Sequence, residues 1–169
     1  MSKLTQVATT TISSPVADFS IGGISDNSPH ILMLSGINVA SQNADIYMRL
    51  GDSSSADTSN EYDYASENLY TYSSFLTNAS VDQSYWTNVL LNFQSSFGEC
   101  NAMMYFYNLY NSDEYSVVLF NNVIQYTGGN IYGVLVGGVL KVESQHTHIY
   151  LGYGVNITEG TATLYKVGG

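Results

Sequence analysis

Residues 154–169 read GVNITEGTATLYKVGG, and their reading decides the fold. Glu159-Gly160 is turn chemistry between two short apolar-polar runs, so the stretch predicts a hairpin of two strands. From Thr161 onward the chain alternates. Ala162, Leu164 and Lys166 share one face, and Thr163, Tyr165 and Val167 share the other. Either Leu164 or the Tyr165–Val167 pair faces a core, and alternation alone leaves both open. The final strand is expected to close a sheet, and the sheet is expected to be the domain.

The same signals extend toward the N-terminus. Strands are expected at Phe19–Ile24, His30–Ala40, Ala44–Gly51, Ser84–Gln94, Asn101–Tyr110, Tyr115–Tyr126 and Ile131–Glu143. The clearest is Ala44–Gly51, where Ile46, Met48 and Leu50 alternate with Asp45, Tyr47 and Arg49. Turn residues separate the runs: Asp26 to Pro29, Asn111 to Asp113, Gly128 to Asn130, and Glu159-Gly160. No capped amphipathic helix stands out. Tyr62–Leu76 comes nearest, but its apolar spacing is irregular, and it reads as loop or strand. Gly51–Glu67, rich in Ser and Asp, reads as an exposed loop. Eight to ten short strands without helical crossovers predict an all-β fold, an antiparallel β-sandwich that is jelly-roll-like. It forms a single domain over residues 19–169, preceded by a polar, Thr-rich arm over residues 1–18.

Composition narrows the function classes. The chain has 169 residues, of which 44% are hydrophobic and only 11% charged. Its polar surface is therefore built from Ser, Thr, Asn, Gln and Tyr. Four basic residues face fourteen acids, for a net charge of −10. Nucleic-acid binding needs Lys and Arg to displace counterions from phosphates, so no nucleic acid is expected as a partner. An anionic membrane surface would repel the chain, and no stretch of membrane-spanning length exists. The single cysteine, Cys100, excludes an intrachain disulfide and reads as a small buried hydrophobe. The first ten residues lack an apolar core of signal-peptide length, so synthesis and assembly in a cytoplasm are expected.

Candidate chemistry is sparse. Asp52, Asp57 and Asp63 are acids of a Ser/Asp-rich loop that could offer oxygens to a hard cation, but their spacing matches no EF-hand. His146 and His148 form His-x-His, which on a strand shares one face and in a trimer could close around one metal. Their plainer reading is as solvated carboxylates and as packed or exposed histidines, so no metal is expected. There is no Gly-x-Ser-x-Gly elbow, phosphate loop or dinucleotide fingerprint, and neither an enzyme activity nor a cofactor is expected. Tyr is over-represented, with fifteen against six Phe and one Trp. Its apolar ring and polar tip suit interfaces and sugar stacking. Tyr62, Tyr64, Tyr70 and Tyr72, set among polar residues, and Trp86 are the expected interface or ligand contacts.

The order of motifs resembles a group of small virion proteins of tailed bacteriophages, common in phages of aquatic bacteria. It also resembles the C-terminal modules of some phage fibres. The likeness runs through ATTTISSPVADFSIGGI, ILMLSGI, IYMRLGDSSS, YDYASENLY, MMYFYNLYNSDEYSVV and the closing VNITEGTATLYKVGG. The Gly-Thr-x-x-Leu-Tyr ending is its most specific element. This chain departs by finishing Tyr165-Lys166-Val167 where Tyr-Gly-hydrophobic is commoner. The resemblance implies a β-sandwich virion component, often trimeric, with no catalytic residues to transfer. The expected function is capsid decoration or cement on the outer face of the head. The expected partners are the major capsid protein or other virion proteins, with a homotrimer as the assembly. The alternative is a receptor-binding module of a tail or head fibre that recognises a host surface glycan.

Overall fold

The computed structural model describes residues 3–40, 44–71, 75–93, 100–125 and 130–168. The chain is all-β and antiparallel, with eleven strands among these residues. They are β1 (Leu4–Ile12), β2 (Val16–Gly22), β3 (His30–Val39), β4 (Ala44–Gly51), β5 (Tyr62–Tyr70) and β6 (Leu76–Gln83). Then follow β7 (Trp86–Phe93), β8 (Cys100–Tyr107), β9 (Ser116–Gln125), β10 (Ile131–Leu140) and β11 (His148–Val167). All hydrogen-bond into one sheet of order β6-β5-β10-β9-β8-β3-β11-β4-β7, with β1 and β2 also on β11. The sheet rolls until it is nearly closed into a barrel.

The stretch expected to be a hairpin is the second half of one 20-residue strand. Glu159-Gly160 does not reverse the chain. Glu159 pairs with Asn38 of β3 and Gly160 with Ile12 of β1, and the register with β3 shifts on either side of Glu159. Gly160 has φ +137°, and a Cβ there would lie 2.9 Å from the Ile37 Cα. The glycine therefore serves a β-bulge rather than a turn. Both flanking strands are far away in sequence, so the local dipeptide carries no sign of them. Ala162 and Leu164 are fully buried, and Tyr165 faces outward.

β11 organises the molecule. Its C-terminal half lies between β1 and β3, and its first residues, His148–Gly152, lie between β2 and β4. Residues 1–18, expected to form an arm, contain β1 and the start of β2, both laddered along β11. Their threonines supply strand propensity, and Ile12 is buried. Tyr62–Leu76 resolves into β5 and the start of β6, so the exposed loop ends at Glu61. Gly128 and Gly129 of the expected turn lie outside the described residues.

Contacts around Trp86 bring the two sides of the roll together. β7 ends the sheet on one side, yet its Trp86 is fully buried, and its Nε1 donates to the Asp63 carbonyl of β5 at 3.1 Å. The Tyr62 ring meets the indole edge-on, with centroids 5.0 Å apart. The buried Tyr62 hydroxyl accepts the Leu50 amide at 3.2 Å and donates to the Asp57 carbonyl at 3.1 Å. A single core, including Leu32, Met48, Phe106, Val118, Ile149 and Leu164, fills the space inside.

Candidate functional site

Among the described residues, no element covers the outer face of the sheet. Directly paired residues of antiparallel strands share a face, so the register generates rows across the sheet. One row runs from Ile31 through Tyr105, Leu119, Gly137 and Ala65 to Ala79, crossing β3, β8, β9, β10, β5 and β6. Beside it stand Met33, Met103, Asn121, Leu135, Glu67 and Thr77. Both rows continue past β3 to Tyr165 and Thr163 of β11, then to Gln6 and Thr9 of β1. The face is eight strands wide, apolar at its centre and Thr-rich at its β1 side.

Its exposure is what marks it. Leu119 and Leu135 are about half exposed at 49% and 46%, and Val123 at 63%, while Phe120 and Val136 beside them face the core. The β9 and β10 strands are thus apolar on both sides, as in sheets buried on two faces. Between β8 and β6 the face is concave, a trough of about 870 Å³ lined by Ala65, Ala79, Tyr105, Leu119 and Leu135 with Glu67. One carboxylate, Glu67, stands among the described residues of these rows, and Asp63 stands in the next row, paired with Val139. Asp63 sits 3.2 Å from the Lys141 ammonium, whose pKa is raised by its hydrogen bonds to Asp82 and then Asp63.

The residues expected to make contacts lie elsewhere. Tyr62 and Trp86 are core residues with no exposed surface, because each finds buried hydrogen-bond partners for its polar atom. Tyr64 and Tyr70 are half-buried against the core from the inner side of β5, and Tyr70 stacks on Tyr132 at 4.4 Å. Tyr72 lies outside the described residues. The signal that would have found the face was present in MMYFY, SVVLF and VLVGGVL: strands apolar at both parities, which ask for cover on both sides.

The polar candidates are engaged locally. Asp52 caps its own turn, accepting the Ser54 hydroxyl at 2.6 Å and the Ser54 and Ser55 amides at 2.7 and 3.1 Å, and these bonds hold its pKa below the usual carboxylate range. Asp57 accepts the Ser59 amide at 2.7 Å, and Asp63 accepts the Asp82 amide at 2.8 Å. The His-x-His pair is divided between environments. His146 precedes β11 and is buried, its amide donating to the Leu109 carbonyl at 2.6 Å, and burial lowers its pKa. His148 opens β11 half-buried, with Nδ1 2.9 Å from the Thr147 hydroxyl. Among the described residues, no group of three or more His, Cys, Asp or Glu is placed to hold a metal ion. Cys100 is buried, and burial pushes its thiol up to about 12.

No known protein-family model matches the chain, and no curated protein matches it.

Proposed function

We propose that the chain is a non-enzymatic structural protein of a bacteriophage virion, a decoration or cement protein seated on the outer face of the head. The observation that supports this reading is the eight-strand-wide, mostly uncharged face, which offers contact area and little reactive chemistry. Monomeric proteins seldom leave apolar surface of this extent open. The resemblance of the closing GTATLY stretch to small phage virion proteins points the same way. On this reading the rolled sheet is a jelly-roll-like sandwich, with β7 lying against β5, β8, β9 and β10. The major capsid protein is the partner beneath it, and the assembled virion is where the protein resides.

The experiment is antibody labelling and copy counting on purified particles of the phage that encodes the chain. Hundreds of copies on the head are expected. A dozen copies at the tail would replace this reading with the glycan-recognising fibre module, and absence from the particle would end both.

A further inference from the structure

We infer that the outer face of β8, β9, β10, β5 and β6 is covered by a second copy of this chain. The inference deepens the reading above and rests on it only for the number of copies, where a shell favours three.

Charge selects the occupant. The chain carries −10, so two copies repel each other wherever their acidic surfaces meet. The rows centred on Leu119 and Leu135 are the place where that repulsion is least. They carry one carboxylate among the described residues, Glu67, and Asp63 in the neighbouring row is beside Lys141. A basic protein would be drawn instead to the acids outside these rows, such as Asp52, Asp113 and Glu114, which are exposed. A neutral apolar face on a strongly acidic chain therefore suits a partner with the same charge problem, namely another copy.

Exposure agrees with this choice. Leu119, Leu135, Ile131, Val123 and Val81 are each about half exposed or more, and grouped exposed apolar side chains of this kind mark an interaction surface. The edge argues for cover too. Among the described strands β6 pairs only with β5, and it is exposed along almost its whole length, so its outer edge and the trough beside it invite uncontrolled pairing if left open. Closed symmetric assembly hides both at once.

The test compares wild type with Leu119→Glu and Leu135→Glu by sedimentation equilibrium at tens of micromolar. Both side chains are half exposed in the isolated chain, so each variant should keep its fold, checked by circular dichroism and melting. Wild type is expected at a multiple of 18.4 kDa. Each glutamate is expected to weaken association at least about a hundredfold, because it buries an unpaired charge among like charges. Leu119→Met should assemble like wild type. A monomeric wild type overturns the inference, and so do folded glutamate variants that assemble normally. If a monomer is nevertheless found on virion heads, the decoration reading stands and this inference alone fails. If the chain assembles through this face but no virion carries it, the inference stands and the decoration reading fails.

Discussion

Gly138 of β10 lies directly beneath the indole of Trp86 of β7: a Cβ on the glycine would come within 2.6 Å of the indole Nε1. β7 ends the sheet order and β10 stands third from the other end, so their approach is part of the seam that brings the roll nearly closed. Any side chain at position 138 pries β7 off β10. Gly138→Ala is expected to cost about 1–3 kcal/mol by overpacking. Trp86→Ala should cost about 3–5 kcal/mol by leaving a cavity. Urea unfolding monitored by circular dichroism measures both. An unchanged midpoint for Gly138→Ala would mean that the seam is looser than described.

The bulge in β11 makes a second prediction. Gly160 holds φ +137°, and its would-be Cβ meets Ile37 on the neighbouring strand. Gly160→Ala is therefore expected to cost about 1–3 kcal/mol from backbone strain, more than an alanine at an exposed strand position. A cost well below 1 kcal/mol would show that Gly160 is not held in this conformation against Ile37.

Acid sensitivity should begin near neutrality. His30 and His146 are buried, and burial lowers both pKa values below 6.5. His30 Nδ1 is buried without a hydrogen-bond partner, and the Ser28 backbone bond and the Asp26 charge offset only part of the cost of burying a protonated ring. The folded state prefers neutral imidazole while the unfolded chain titrates near 6.5. Stability from these groups is therefore complete above about pH 6.5 and is lost as pH falls through the depressed folded values. The Asp26 carboxyl, held well below its usual 3.8 by hydrogen bonds from Lys166 and Ser28, adds a separate loss at lower pH. Melting temperature should be flat between pH 7 and 8 and fall from pH 6.5 to 5. His30→Gln should flatten part of that slope, and an identical slope in the variant would remove His30 from the account.

Cys100 should behave as a core side chain. Its thiol is pushed from 9.0 to about 12 by burial, which leaves roughly a thousandfold less thiolate than in the unfolded chain. A thiol reagent is expected to react slowly with native protein and rapidly in denaturant. Fast native reaction would show that the β8 end opens readily.

Much of the architecture was legible because it is local. In β4, β8 and β10 the side chains alternate or run apolar, and the pleat makes that pattern readable. What was misread depended on distant partners. Glu159-Gly160 is indistinguishable from a turn until Asn38 and Ile12 are seen on either side of it. β6, with its sequence LTNASVDQ, carries little apolar signal because an edge strand exposed on both faces needs little. Tyr62 looked like a surface residue among acids, yet the Leu50 amide and the Asp57 carbonyl satisfy its hydroxyl inside the core. The face itself was hidden because apolar residues at both parities do not tell which side packs the core, whereas the strands supply one core and one exposed apolar face.

The most direct test of that interface is site-specific cross-linking. Because Cys100 is buried, a single introduced cysteine reports alone. Val123→Cys places one on the exposed face, and Ser20→Cys places one on β2, outside the rows that cross β3 to β6. A short bis-maleimide should link Val123→Cys chains into multimers and leave Ser20→Cys chains single. Efficient linkage through position 20 with none through position 123 would contradict the assignment of this face to a second copy.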